Sequence, residues 1–321
     1  MDGSLKVLVL SAGLMLASSI ACAQGLSKRP VRVLVPSAPG SVSETAIRLL
    51  LPKISEALGQ IMVVDNRGSN NGVVGTEIAA RATPDGYTIT TGNSGTHAVN
   101  AGLYRKLPYD PVRDFVPISE VMTSGMMLVG NPRVPANSLP ELIAFAKKYP
   151  EKLNMGVAGA TGQLAGDALW KQLQIKLNNV PYKGSAPTEF ALLSGEVDLS
   201  LLTPLTSLAH LNAGKLKAFG ITSTQRCPLL PNVVPLAELG VPGYDYQFWT
   251  GVFAPAKTPD RVVRTINKAI VEGLQVAEVK DRINQLGFVT VGSSPEEFAE
   301  FVRNEVAKYR KVIAESGIQQ L

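Results

Sequence analysis

Cysteine, histidine and long apolar runs are what this sequence most lacks. Its 321 residues hold two cysteines, Cys22 and Cys227, and two histidines, His97 and His210. So few ligating side chains cannot form a metal cluster without enlisting scattered carboxylates, and no metal centre is expected. No segment reads G-x-x-x-x-G-K-[ST], and the glycines from Gly68 to Gly75 miss the G-x-G-x-x-G spacing, which argues against a nucleotide loop. Gly92-Asn93-Ser94-Gly95 likewise misses the G-x-S-x-G elbow of serine hydrolases. Heptads, tandem repeats and low-complexity tails are also missing. The 31 lysines and arginines outnumber 26 acidic residues, for a net charge of +5. That excess favours an anionic partner. The basic residues are dispersed, however, without the stripe and interleaved aromatics of a nucleic-acid binder.

The one long apolar run, residues 7–21, is too short to span a bilayer comfortably and stands at the N-terminus. Ala21-Cys22-Ala23 follows as an A-x-A cleavage site, which predicts a secretory signal peptide over 1–23 and a mature chain starting at Gln24. A lipobox ending in Cys22 is the rival reading, weakened by Ser19 where a leucine is usually wanted. Cleavage would leave Cys227 as the only cysteine, excluding an intramolecular disulfide in a compartment that permits one. The remaining chain has no second long apolar run and is expected to be soluble. Its length favours two domains over one.

The mature chain is organised around Val31-Arg32-Val33-Leu34-Val35-Pro36-Ser37-Ala38-Pro39-Gly40-Ser41-Val42-Ser43-Glu44. A short β-rich run predicts a buried parallel strand; two prolines and a glycine stop it; Ser41-x-x-Glu44 predicts a capping box opening a helix to Leu58. A strand, a tight turn and a helix N-terminus together suit a carboxylate or phosphate. The same device recurs. Strands are expected over 61–64 and 87–91, the latter ending in Gly92-Asn93-Ser94-Gly95-Thr96-His97, a small polar turn of the kind that lines ligand crevices. Further along, strands are expected over 153–157, 180–182, 199–202 and 216–221. Residues 158–163 read as a glycine-rich turn, and Ser185 as the cap of a helix through Leu193. Extended segments over 114–130 and 247–255 could cross between two lobes. Thr258-Pro259 is expected to cap one helix, and Ser294-Pro295-x-Glu297 to open the last, whose apolar face should dock on the first lobe.

The sequence resembles the Bug family, the periplasmic substrate-binding proteins of tripartite tricarboxylate transporters. The matching blocks include Arg29-Pro30-Val31-Arg32-Val33-Leu34-Val35-Pro36, Val64-Asp65-Asn66-Arg67, Pro84-Asp85-Gly86-Tyr87-Thr88, Val180-Pro181-Tyr182-Lys183-Gly184-Ser185-Ala186-Pro187 and Gly195-Glu196-Val197-Asp198. They run in order along essentially the whole mature chain. The resemblance implies an α/β, two-lobed periplasmic binding protein of type II with a hinge of two crossing strands. Its first lobe would comprise residues 24–124, its second 125–248, and the return segment with the C-terminal helices 249–321. It further implies a periplasmic, monomeric binding protein rather than an enzyme. Such a protein captures a small carboxylate (a di- or tricarboxylate, amino acid or aromatic acid) without cofactor and delivers it to transient membrane transporter subunits. A sensing module signalling to a membrane partner, or an exported enzyme using Ser94, His97 or Lys183, are the alternatives. No nucleophile is paired with a base and an orienting group at recognisable spacing.

The expected donors are neutral: Ser37, Ala38, Gly40, Ser41 and Ser43 from the opening turn, and Asn93, Ser94, Gly95 and Thr96 after the third strand. The second lobe would add Thr161, Gly162, Gly184 and Ser185. The family turn resembles Pro-Phe-x-Pro-Gly-Gly-x-x-Asp, so Ser37, Ser41 and Glu44 are departures, as is Leu202 where an acidic or amide residue is common. They leave the fold expectation intact and bear on the cargo. With a hydroxyl in place of an aromatic wall at Ser37, the distal end of the cargo is expected to be polar.

Overall fold

The opening run forms β1 (Val31–Val35) in the computed structural model, which describes residues 29–68, 70–158, 160–182, 185–316 and 320–321. The expected signal peptide lies outside these residues. Val31, Val33, Leu34 and Val35 are buried, as a central parallel strand requires. β1 pairs in parallel with β2 (Met62–Asn66) and with β3 (Thr88–Asn93). Helix α1 (Val42–Leu58) follows β1 and buries Ala46, Ile47, Leu50 and Ile54, one apolar stripe at helical spacing, with Pro52 inside it. Gly59 closes it in the left-handed conformation. After β2, a 3-10 turn (Asn70–Gly72) leads into α2 (Val73–Ala80). After β3, a π turn (Gly95–Val99) runs directly into α3 (Asn100–Leu103).

The crossing segment is β4 (Phe115–Gly125), after which a single residue, Met126, separates it from β5 (Met127–Gly130) of a second sheet. The second lobe then builds α4 (Leu139–Lys148), β6 (Asn154–Ala158), α5 (Ala160–Leu173), β7 (Asn178–Tyr182), α6 (Ser185–Ser194), β8 (Leu199–Leu202), α7 (Pro204–Asn212) and β9 (Lys217–Ile221). The chain returns along β10 (Gln247–Pro255) and ends with α8 (Asp260–Leu274), α9 (Ala277–Gln285), β11 (Val289–Thr290) and α10 (Pro295–Ser316). The first sheet has the order β11-β4-β10-β3-β1-β2 and the second β7-β6-β8-β5-β9. Each is a mixed sheet whose parallel strands carry helical crossovers.

β4 and β10 are antiparallel neighbours, with two register shifts in their ladder, between Thr250 and Gly251 and between Val252 and Phe253. Thr222, just past β9, ties both crossings together. Its N–H donates to Met126 O at 2.9 Å, and its Oγ1 accepts from Met126 N at 2.8 Å and donates to Tyr246 O. Tyr246 N in turn donates to Thr222 O at 3.0 Å. α10 docks through Phe298, Val302, Val306, Tyr309 and Ile313, all buried. Its capping box is reciprocal: Glu297 N donates to Ser294 Oγ at 3.2 Å and Ser294 N to Glu297 Oε2 at 2.9 Å.

Two local expectations change, and two helices appear that the sequence did not announce. The 158–163 turn is shorter than read, because the helix already begins at Ala160. Thr258 does not cap α8; its hydroxyl donates to Pro255 O at 2.7 Å, and Pro259 stands at the cap position. Helices α7 and α9 carry too few buried positions for an apolar stripe to announce them, only Pro204 and Ser207 in one and Val279 and Ile283 in the other.

Candidate functional site

A cavity of about 530 Å³ lies where the two lobes meet. Pro36, Ser37 and Ala38 line it after β1, and Gly68, Asn71 and Gly72 after β2. The segment after β3 adds Asn93, Gly95, Thr96, Val99, Asn100 and Leu103. From the second lobe come Ala158, at the end of β6, and Thr161, in the first turn of α5. All three contributions of the first lobe sit at the carboxyl ends of parallel strands, where doubly wound sheets bind ligands. Among the described residues, no lining side chain carries a charge.

The β3 wall is held by a closed set of hydrogen bonds. Asn93 N donates to Thr96 Oγ1 at 3.0 Å, and Thr96 N donates back to Asn93 Oδ1 at 3.0 Å. Asn93 Nδ2 donates to Ser43 Oγ at 3.3 Å, and Ser43 Oγ lies 3.1 Å from Thr250 Oγ1 on β10. Thr96 Oγ1 is 2.9 Å from His97 Nδ1. The His97 ring stacks on Phe253 at 4.1 Å and meets the edge of Phe115 at 4.7 Å. Complete burial drives its pKa down to about 3, so it is a neutral packing residue at any physiological pH. A β-carbon at Gly92 would strike both His97 and Phe253, so only glycine lets this ring pair approach the strand. Gly72, at φ +74°, is required for a second reason: a β-carbon there would collide with Thr96 and Pro36 O.

The N-terminus of α1 is occupied by the chain's own carboxylate. Ser41 Oγ accepts from Glu44 N at 3.3 Å, and Glu44 Oε2 accepts from Gly40 N at 3.1 Å while Oε1 pairs with Arg48. Ser37 Oγ and Ser41 Oγ are 2.5 Å apart. Of the residues expected from sequence, Ser37, Ala38, Asn93, Gly95, Thr96 and Thr161 line the cavity. Gly40 and Ser41 belong to the helix cap instead, and Ser43 is buried against β10. Ser94 is fully buried behind the wall, its Oγ without a partner among the described residues. Gly162 follows Thr161 within α5, Ser185 is exposed at the start of α6, and Gly184 lies outside the described residues. Leu202 is buried in the second lobe's core.

Sequence reasoning missed Pro36, Gly68, Asn71, Gly72, Val99, Asn100, Leu103 and Ala158. Thr96, Val99, Asn100 and Leu103 have the i, i+3, i+4, i+7 spacing of one helical face, the signal that could have exposed them. The 68–75 loop is legible as glycine- and asparagine-rich, and its glycine spacing argues only against a nucleotide loop. Among the described residues, no group of three or more His, Cys, Asp or Glu side chains is placed to hold a metal ion. No described helix is long and apolar enough to cross a membrane.

Residues 46–318 match the model of the tripartite tricarboxylate transporter family receptor. The chain belongs to that family. Among curated relatives of this receptor, a UPF0065 protein from the tcbD-tcbE intergenic region of Pseudomonas sp. strain P51 is 35% identical, covering 89% of this chain and 86% of its own. Protein BugT of Bordetella pertussis is 32% identical over 90% of both chains. Among solved structures, R. palustris Rpa4515 with adipate is 32% identical, with a TM-score of 0.77 over 92% of this chain and 99% of that one. MatC from Rhodopseudomonas palustris with bound malate is 30% identical, with a TM-score of 0.73 over 90% and 100%. The receptor thus has the two-lobed α/β architecture of periplasmic binding proteins.

Proposed function

We propose that this receptor captures a small carboxylate in the cavity between its lobes and hands it to the membrane subunits of a tripartite tricarboxylate-type transporter. It would do so in the periplasm, as a monomer, without cofactor and without turning the ligand over. The lobes would divide at residues 24–124, 125–248 and 249–321. The observation that carries the reading is the cavity itself: about 530 Å³, with walls from both lobes at strand ends and helix starts, and no charged side chain among the described residues. A carboxylate there is held by backbone N–H groups, hydroxyls and the positive end of a helix dipole rather than by arginine. With the α1 end taken by Glu44, the N-termini beside Gly72, Gly95 and Thr161 remain, those of α2, of the π turn and of α5.

Two similar receptors hold adipate and malate, which supports the size and charge class. The test is native mass spectrometry of protein taken from the periplasm, followed by calorimetric titration of whatever acid co-purifies and of a C4–C6 dicarboxylate series. Saturable binding of a carboxylate without turnover is expected. Failure of every carboxylate to bind, or conversion of one into product, would overturn the reading.

A further inference from the structure

Asn100 is 1% exposed and forms part of the cavity wall. Its Nδ2 donates to Asn71 O at 3.0 Å and to Tyr109 Oη at 3.2 Å, which uses both amide hydrogens. The amide cannot be turned over. A main-chain carbonyl only accepts, and Tyr109 Oη already donates its single hydrogen to Thr96 O at 2.7 Å. Burial pushes the Tyr109 pKa up to about 12, so that hydrogen stays in place. A flipped amide would set its oxygen against two acceptors. Asn100 Oδ1 therefore occupies the remaining position, and no described N–H or O–H donates to it.

The other polar side chains of the wall differ in kind. Asn93 spends its amide on Thr96 and Ser43. Hydroxyls such as Ser37 and Thr161 can donate or accept and so discriminate little. Asn71, the remaining amide, is exposed and gives an Nδ2 hydrogen to Tyr104 Oη at 3.2 Å. Asn100, on a side chain held in place at both amide hydrogens, presents a pure acceptor that no described donor reaches, and a ligand lacking a donor would strip away any water there and leave that oxygen unpaired. The geometry points to Asn100 Oδ1 as the specificity determinant of the cavity: the cargo is a small carboxylate that also carries a hydroxyl, amine or ammonium hydrogen. This rests on the proposed function.

The experiment is calorimetric titration of the full-length receptor with matched acids that differ only in that group. L-malate and L-aspartate are compared with succinate, and 3-hydroxybutyrate with butyrate. The donor-bearing acid of the pair that the cavity accepts should bind about tenfold tighter or more. Asn100→Leu should bring that ratio close to one, and Asn100→Ser, a milder change, is measured beside it so that either folded variant decides. Equal affinities within the pairs, or a ratio that survives in a folded variant, overturn the inference while leaving carboxylate capture standing. Binding of none of the five acids overturns the inference; the proposed function falls with it only if the co-purifying acid and the rest of the C4–C6 dicarboxylate series fail to bind as well.

Discussion

Glu120 lies on the crossing strand β4 with 7% of its surface exposed, and no described donor reaches its carboxylate. Glu305 on α10 and Asp245 before β10 face it, while Lys308, the nearby cation, is spent on Glu305 and on Asp245 O. Burial, then Glu305 and Asp245, raise its pKa from 4.5 to about 8. The folded protein therefore holds a proton that the unfolded chain releases. Its contribution to stability is greatest below pH 4.5, falls as pH rises towards 8, and levels off above it. The full interval corresponds to roughly 5 kcal/mol; side-chain relaxation and water entry should leave a loss of about 2–4 kcal/mol.

Glu120→Gln keeps the shape and removes the charge. Urea unfolding followed by tryptophan fluorescence at pH 5, 7 and 9 measures the effect, with Trp249, bonded to Glu305 Oε2 at 2.9 Å, as a buried reporter beside the cluster. Subtracting wild type from variant cancels the titrating groups that do not interact with Glu120. The variant should match wild type near pH 5 and exceed it by about 2–4 kcal/mol at pH 9. A difference that does not change with pH would refute the reasoning, because the proton would then not be bound at Glu120.

Four other outcomes are expected. Ser37→Phe, which replaces the hydroxyl bonded to Ser41 by a ring, should weaken the polar-ended cargo about tenfold by titration; unchanged affinity would remove Ser37 from the site. Ser94→Ala should leave affinity unchanged, since Ser94 is fully buried and does not line the cavity. Thr222→Val should cost about 2–4 kcal/mol in denaturant unfolding, by leaving Met126 N and Tyr246 O without their buried side-chain partner. Chelation and desalting should not alter carboxylate affinity; a large loss on chelation would reveal a metal.

Local chemistry made much of this receptor legible without a structure. The buried run at Val31, the Ser41–Glu44 and Ser294–Glu297 boxes and the crossing strand Gln247–Pro255 are read from neighbours a few residues apart, because strand periodicity and helix capping are short-range effects. The order of blocks along the chain likewise sufficed for the family. Which polar residues face the ligand is another kind of question, answered only when distant loops meet. Ser94 and Thr96 look equivalent in sequence, yet the π turn after β3 buries one and brings the other to the cavity. Glu44 reads as a helix cap, and only the folded turn shows its carboxylate seated on Gly40 N, where an anionic ligand could otherwise sit. Asn100 carries no signal of its own. Its acceptor is singled out because Asn71 and Tyr109, from separate loops, consume both its hydrogens, and hydrogen-bond accounting of that sort exists only in three dimensions.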